Sequence, residues 1–223
     1  MRTLLLPLRA MVDTETTAET PAEGEPKDKR RKYLTWLLVL LMENGKETLS
    51  GHAQDLVEER IGLGQFHDRM VRDMGDQYSH AAHLGRQLAG STAPFGQWDM
   101  MFGQAVAALS SIKYLQDFVS DLNGQRYRDD DGNLKADPVL ARAALYAGLA
   151  LGVANAAWKQ TVASERFVWH TTEDESTCDT CASRDGQEYT RDTCPSPGED
   201  SECGARCRCW IETIDGETCF VLP

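Results

Sequence analysis

The placement of cysteine constrains this chain more than any other feature. All seven, Cys178, Cys181, Cys194, Cys203, Cys207, Cys209 and Cys219, fall in the last 46 of 223 residues, and the first 177 residues contain none. The C-terminal end is therefore a separate chemical unit. An odd count does not suit a pure disulfide framework. A basic stretch, Lys29-Arg30-Arg31-Lys32, precedes an apolar run at residues 33–42, as in a secretion signal. Yet that run starts more than thirty residues in and ends in Glu43-Asn44-Gly45-Lys46, without a small-residue cleavage site. A reducing cytosol is then the default compartment, and grouped thiols in that setting point to metal. The same run has about half of the ~20 residues that a bilayer needs. It is expected to be a buried helix or strand with a basic collar, and no membrane partner is expected.

From residue 166 onward the chain reads as short β-like pieces, at 167–169, 187–190, 210–214 and 219–222, separated by Gly, Pro, Asp and Ser turns. So short a unit buries too little apolar surface to fold without a staple. Cys178-Asp179-Thr180-Cys181 is a CxxC, whose tight turn places two thiolates about 2.3 Å from one ion. A second cluster follows at Cys203-Gly204-Ala205-Arg206-Cys207-Arg208-Cys209. Two such knuckles suit a closed, tetrahedral, structural zinc site held by Cys178, Cys181, Cys203 and Cys207. Cys209 competes with Cys207, because a CxC presents either sulfur. Cys194 and Cys219 read as buried free thiols or as a pair formed on oxidation. Disulfides and free thiols are the alternatives for the whole cluster. A thioredoxin-like CxxC would need a βαβ surround, which this stretch lacks.

Upstream the pattern is helical. Residues 13–32, rich in Thr, Glu, Pro and Lys, cannot offset their ordering entropy by burial, so 1–32 is expected to be a flexible arm. Leu4, Leu5, Leu6 and Leu8 leave residues 1–11 apolar enough either to dock or to fray. Residues 62–90 carry Phe66, Met70, Met74, Tyr78, Ala81 and Gly85 at helical spacing. A second helix is predicted over 96–122, with an inward stripe of Phe102, Val106, Leu109, Ile112, Leu115, Val119 and Leu122. Residues 129–133 form an acidic turn. Tyr127 stands where a calcium loop of the EF-hand type needs an acid, so the turn is read as solvated. An alanine-rich helix is predicted from Pro138 to about Ser164, capped by Asp137, with Gly148 and Gly152 allowing close packing. The expected fold is mainly α, with long amphipathic helices followed by a small Cys-rich, zinc-ribbon-like β module. The expected division is 1–32, 33–167 and 168–223.

Charge limits the function classes. The chain has 23 Lys plus Arg against 35 Asp plus Glu, a net charge of -12. Residues 178–223 alone hold ten acidic residues and four Arg. A zinc-ribbon nucleic-acid binder is the alternative reading, but an acidic ribbon repels phosphate, which argues against direct DNA binding. A metalloenzyme needs an open coordination position and a general base. The His-x-Glu and Pro-Cys-x-x-Cys pair of the zinc deaminases is missing. His52, His67, His80 and His83 are spread over the helical part, and no nucleophile or phosphate-cradling motif is present. The chain is therefore not expected to be an enzyme.

Three groups of residues carry a family likeness: Val168-Trp169-His170-Thr171-Thr172; Glu175-Ser176-Thr177-Cys178-Asp179-Thr180-Cys181 with Gly186; and Pro195-Ser196-Pro197-Gly198 through Cys203 to Cys207-Arg208-Cys209-Trp210. Together they resemble the C-terminal signature of phage head morphogenesis proteins, the Mu F-like minor head proteins. The helical stretch ending His80-Ala81-Ala82-His83-Leu84-Gly85-Arg86 resembles the long helices that precede that signature. The likeness covers roughly residues 60–215. Many members have a His shortly before the closing Cys-x-Cys. Cys203 is the nearest ligand-type residue here, which leaves either a four-thiolate set or a His lost together with the metal. The resemblance implies a minor structural protein of the virion head, present in the host cytoplasm during assembly. Its implied partners are the portal protein and the major capsid protein. Some relatives carry a fused toxin or protease, and none is expected after Pro223.

Overall fold

Leu34, Leu38, Leu41, Leu49, Ala53 and Leu56 recur at helical spacing and are all buried, so the apolar run expected to be a helix or strand lies within one long helix, α1 (Lys27–Val57). The computed structural model describes residues 27–172, 177–197, 201–203 and 207–221. Residues 1–26, which hold most of the expected arm, lie outside the described residues. Residues 27–32 are helical, so the boundary placed at 32 falls inside α1. The basic collar explains this. Arg30 donates to the carbonyls of Gln87 (3.0 Å) and Ser91 (3.3 Å), and Arg31 donates to that of Cys219 (3.0 Å). The first turn is thereby tied to two other parts of the molecule.

After α1 come α2 (Leu63–Leu88), α3 (Gln97–Ser110), a π-helical turn (Ser111–Leu115), α4 (Gln116–Asn123) and α5 (Ala136–Thr161). Helices α1, α2 and α5 pack on one another, and α3 packs along α2. The alanine-rich α5 is long and apolar enough to cross a membrane by composition, with mean hydropathy 1.5 over its best window. Here it is a core helix, with Ala143, Ala147, Ala150, Ala154 and Ala157 fully buried. Small residues set how closely the helices approach, at Gly85 of α2 rather than at the expected Gly152, which lies against Pro197. A Cβ on Gly85 of α2 would strike the carbonyl of Ala154 in α5. Buried Gln77 occupies the space beside Gly45 and donates to the carbonyls of Leu41 and Ala147, joining α1, α2 and α5. The cap of α5 is Lys135, so Asp137, expected to be the cap, lies two residues on, inside the first turn. The acidic turn forms as expected, with Asp129 accepting from the amides of Asp131 (3.0 Å) and Asn133 (2.8 Å).

The inward stripe predicted for 96–122 is half wrong. Leu115 and Leu122 are buried, but Leu109 and Ile112 point to solvent and Phe102, Val106 and Val119 are half-buried. The inward residues of α3 are instead Asp99, Gly103, Ala107 and Ser110. Gly103 sits so close to the backbone of Ser79 that a Cβ there would overlap it. An approach this tight admits only small residues, and the larger ones turn outward.

Asp99, fully buried, caps α3 and fixes the α2–α3 connection. It accepts from Arg86 twice at 2.8 Å and from the Gly96 amide at 2.9 Å, and His83 Nδ1 lies 3.5 Å away. Burial holds the His83 imidazole below its ordinary 6.5, against the smaller pull of the Asp99 carboxylate. The unfolded chain then takes up this proton first as pH falls, so stability decreases below 6.5. His83→Gln is expected to lose less stability than the native chain between pH 7.5 and 5.5, measured as the shift in urea midpoint.

The C-terminal part is a three-stranded antiparallel sheet in the order β2 (Glu188–Thr190), β1 (Arg166–His170), β3 (Trp210–Thr213), with one helical turn, α6 (Asp179–Ala182), between β1 and β2. The boundary placed at 167/168 falls inside β1. Of the fourth strand expected over 219–222, residues 219–221 are described and form no strand, and Leu222 lies outside the described residues. After a tight return, Cys219 donates its amide to Ile211 (3.0 Å), and Phe220 then leaves the sheet for the helical core. In the opposite sense, Trp158 of α5 enters the core of the sheet module.

Candidate metal centre

The CxxC lies on the single turn of α6. Cys178 precedes it, and its carbonyl accepts from the Ala182 amide at 2.9 Å. One helical turn brings residues three apart to the same side, so Cys178 and Cys181 face one way. The turn is tied to the central strand. Gly186, at φ 69°, donates its amide to Trp169 (2.8 Å), and Asp185 accepts from the Thr171 amide (2.7 Å). Left-handed backbone at Gly186 is what lets the chain reverse there. Cys207 and Cys209 lead into β3, and alternate positions of an extended chain point to one side.

Cys178, Cys181 and Cys203 form one group whose sulfurs all lie within 4.8 Å of one another, and Cys181, Cys207 and Cys209 form a second. Cys181 is common to both. Its Sγ is 3.6 Å from that of Cys203 and 3.9 Å from that of Cys207, and Cys178 and Cys203 are also 3.6 Å apart. These separations are too long for an S–S bond of about 2.05 Å. They match the edge of a tetrahedron with about 2.3 Å from centre to sulfur, which is roughly 3.8 Å. All seven cysteines are free thiols, so the disulfide alternative is not what this fold displays.

The electrostatics of the cluster favour a cation. The S–H of Cys209 stabilises a thiolate on Cys207, whose pKa falls to about 5, while Cys209 itself is pushed up by holding that proton. Burial pushes Cys181 and Cys203 up. Burial also opposes ionisation of Cys178, but hydrogen bonds from Cys181 and Cys203 outweigh it and bring this thiol down. One or two negative charges are thus accommodated, and further thiolates are resisted by those already present. A bound cation removes that resistance. The five sequence-identified candidates, Cys178, Cys181, Cys203, Cys207 and Cys209, are all brought together, and this cluster can hold a metal ion.

Cys194 and Cys219 fall outside both groups. Both are buried in the core of the module, and burial raises their thiols to about 11 and about 12. They act as packing residues, as the free-thiol reading expects. His170, the one histidine in the module, stacks on Trp210 at 5.3 Å and faces Glu212 rather than the sulfurs.

Sequence reasoning did not identify the residues that anchor this centre to the helices. Arg191 donates to the carbonyls of Lys159 (2.7 Å), Val162 (2.8 Å) and Ser164 (2.8 Å), covering the exposed end of α5. Buried Lys159 donates to the Cys194 carbonyl, and Gly152 leaves room for Pro197 to lie against α5. Asn155, fully buried, accepts from the Phe220 amide (2.9 Å) and donates to its carbonyl (3.2 Å). Such residues are isolated in the sequence and leave no spacing signature. Asn155→Ala strands both backbone groups of Phe220 in the core. It is expected to cost about 2–4 kcal/mol in urea unfolding.

Comparison of the chain with protein-family models, with curated proteins and with solved structures finds no match.

Proposed function

We propose that this chain is a structural protein of the minor head class of phages, acting at the portal and capsid during head assembly. The observation that carries the reading is the convergence of Cys178, Cys181, Cys203, Cys207 and Cys209 on the face of a three-stranded sheet. These same cysteines close the motif that resembles the head morphogenesis signature. In this reading the centre is a staple that makes a firm contact surface, and the helices supply the scaffold that docks. The protein works by surface complementarity and turns over no substrate.

The proposed ion is a single zinc, held by Cys178, Cys181 and Cys203 with Cys207 or Cys209 as the fourth ligand. Thiolate sulfur in tetrahedral array suits zinc, which carries no redox chemistry of its own and serves structurally. Metal analysis of protein purified under reducing conditions should return about one zinc per chain. A metal-free native protein in which all seven thiols titrate would refute the staple. For the assembly role, the chain is co-expressed with the portal and major capsid proteins encoded beside it, and is expected in purified particles. Its absence from particles, together with salt-sensitive retention on DNA, would favour the nucleic-acid-binding alternative.

A further inference from the structure

Helix α3 is built inside out. Gly103, Ala107 and Ser110 face α2, while Trp98, Met101 and Leu109, with Ile112 of the π-helical turn that follows, face solvent at 42%, 62%, 62% and 65% exposure. The outward residues recur at three- and four-residue steps and continue the half-buried Phe102 and Val106, so they form one stripe. Single exposed apolar residues are ordinary, but a contiguous stripe along a whole helix marks a contact surface. Asp99, the one ionisable side chain within α3, is buried under the helix, and the charges that border the stripe are the guanidinium of Arg86, 5.2 Å from the Trp98 ring centroid, and Lys113 after Ile112.

The chain holds a second apolar feature without an assigned place. Leu4, Leu5, Leu6, Leu8 and Met11 crowd the first eleven residues, ahead of the polar residues 12–26. The first turn of α1, where the described chain begins, lies beside the connection into α3. Arg30, in the first turn of α1, bonds to Gln87 and Ser91, and the connection through Ser91 leads directly into α3. Residues 12–26 reach about 50 Å when extended, whereas the 14 residues of α3 cover roughly 21 Å. The tether is ample, and it keeps the leucine segment near the stripe at an effective concentration in the millimolar range. A second copy must compete from free solution.

We propose that residues 4–11 of this chain dock on the outward face of α3, as an intramolecular cover. The cover is independent of the metal centre and of the assembly role. A photo-crosslinking benzoylphenylalanine placed at Met101 in the full chain tests it directly. Irradiation of the monomer is expected to join position 101 to residues 1–11 of the same chain, read by peptide mass spectrometry. Crosslinks between two chains, with a dimer mass in solution, would assign the stripe to a second copy and overturn the proposal. Failure to link to residues 1–11 at all would also overturn it. As a second measurement, deleting residues 2–11 or combining Leu5→Asp with Leu8→Asp should raise anilinonaphthalene sulfonate fluorescence severalfold with the helical circular dichroism unchanged. Equal dye binding by the native and altered chains would count as refutation.

Discussion

Cys181→Ser is expected to abolish metal binding and unfold the sheet module, while the circular dichroism of the helices is largely kept. Cys181 is the one thiol shared by both sulfur groups, so no choice between Cys207 and Cys209 can compensate for its loss. The free energy at stake is large, because a structural zinc contributes on the order of 10–16 kcal/mol in small metal-dependent folds. Trp169 is fully buried beside the centre and Trp210 is half-buried, so tryptophan emission should shift to the red. Chelation of the native protein should produce the same change. Cys207→Ser and Cys209→Ser should each have a smaller effect than Cys181→Ser, and the larger of the two identifies the preferred fourth ligand. Cys194→Ser and Cys219→Ser should keep the metal, since neither thiol belongs to either sulfur group. A Cys181→Ser protein with full metal content and native tryptophan emission would eliminate the shared-ligand arrangement.

Gly85→Ala is expected to be the most damaging single-methyl addition in the helical part. The added Cβ meets the carbonyl of Ala154 and the backbone nitrogen of Trp158, neither of which is the movable end of a flexible side chain. Helices α2 and α5 would have to separate along a seam that also holds Tyr78, whose hydroxyl donates to the Tyr146 carbonyl at 2.8 Å. Overpacking of this kind costs about 1–3 kcal/mol, and a clash with fixed backbone belongs at the upper end. Gly64, in the first turn of the same helix, has open space on all sides, with nothing within 4 Å of where a methyl would stand. Gly64→Ala should therefore be neutral or stabilising by up to about 1 kcal/mol, because alanine is the better helix former. Urea midpoints of the two variants should move in opposite directions. Similar midpoints would show that the α2–α5 seam is looser than the structure has it.

The ease with which each part could be read from sequence follows from how local its cause is. Helices α2 and α5 were legible because burial of one face repeats every three or four residues, whereas the run inside α1 reads as helix or strand although it carries the same repeat. Leu34 to Leu56 and Phe66 to Ala81 show this directly. The turn at Asp129 was legible because its hydrogen bonds close within four residues. The stripe of α3 misled for the opposite reason. Its large residues have helical spacing whichever way the helix faces, and Gly103 against Ser79 fixed the orientation. The absence of strand structure over the described residues 219–221 has a similar origin. Residues 219–222 have β composition, but Asn155, far away in the chain, takes the backbone groups of Phe220 that a neighbouring strand would have taken.

The sequence by itself determined the ligand chemistry: a CxxC, a second cluster closing in CxC, and no competing histidine among them. Thiol character and short-range spacing are local properties, and they suffice to nominate five sulfurs. Only the tertiary structure decided that Cys181 lies between two groups, that Cys194 and Cys219 stay out of both, and that the apolar side of α3 looks away from its own core. Those outcomes depend on distances between residues far apart in the chain. Such distances are set by how closely backbones can approach, and hydrophobic periodicity carries no record of that.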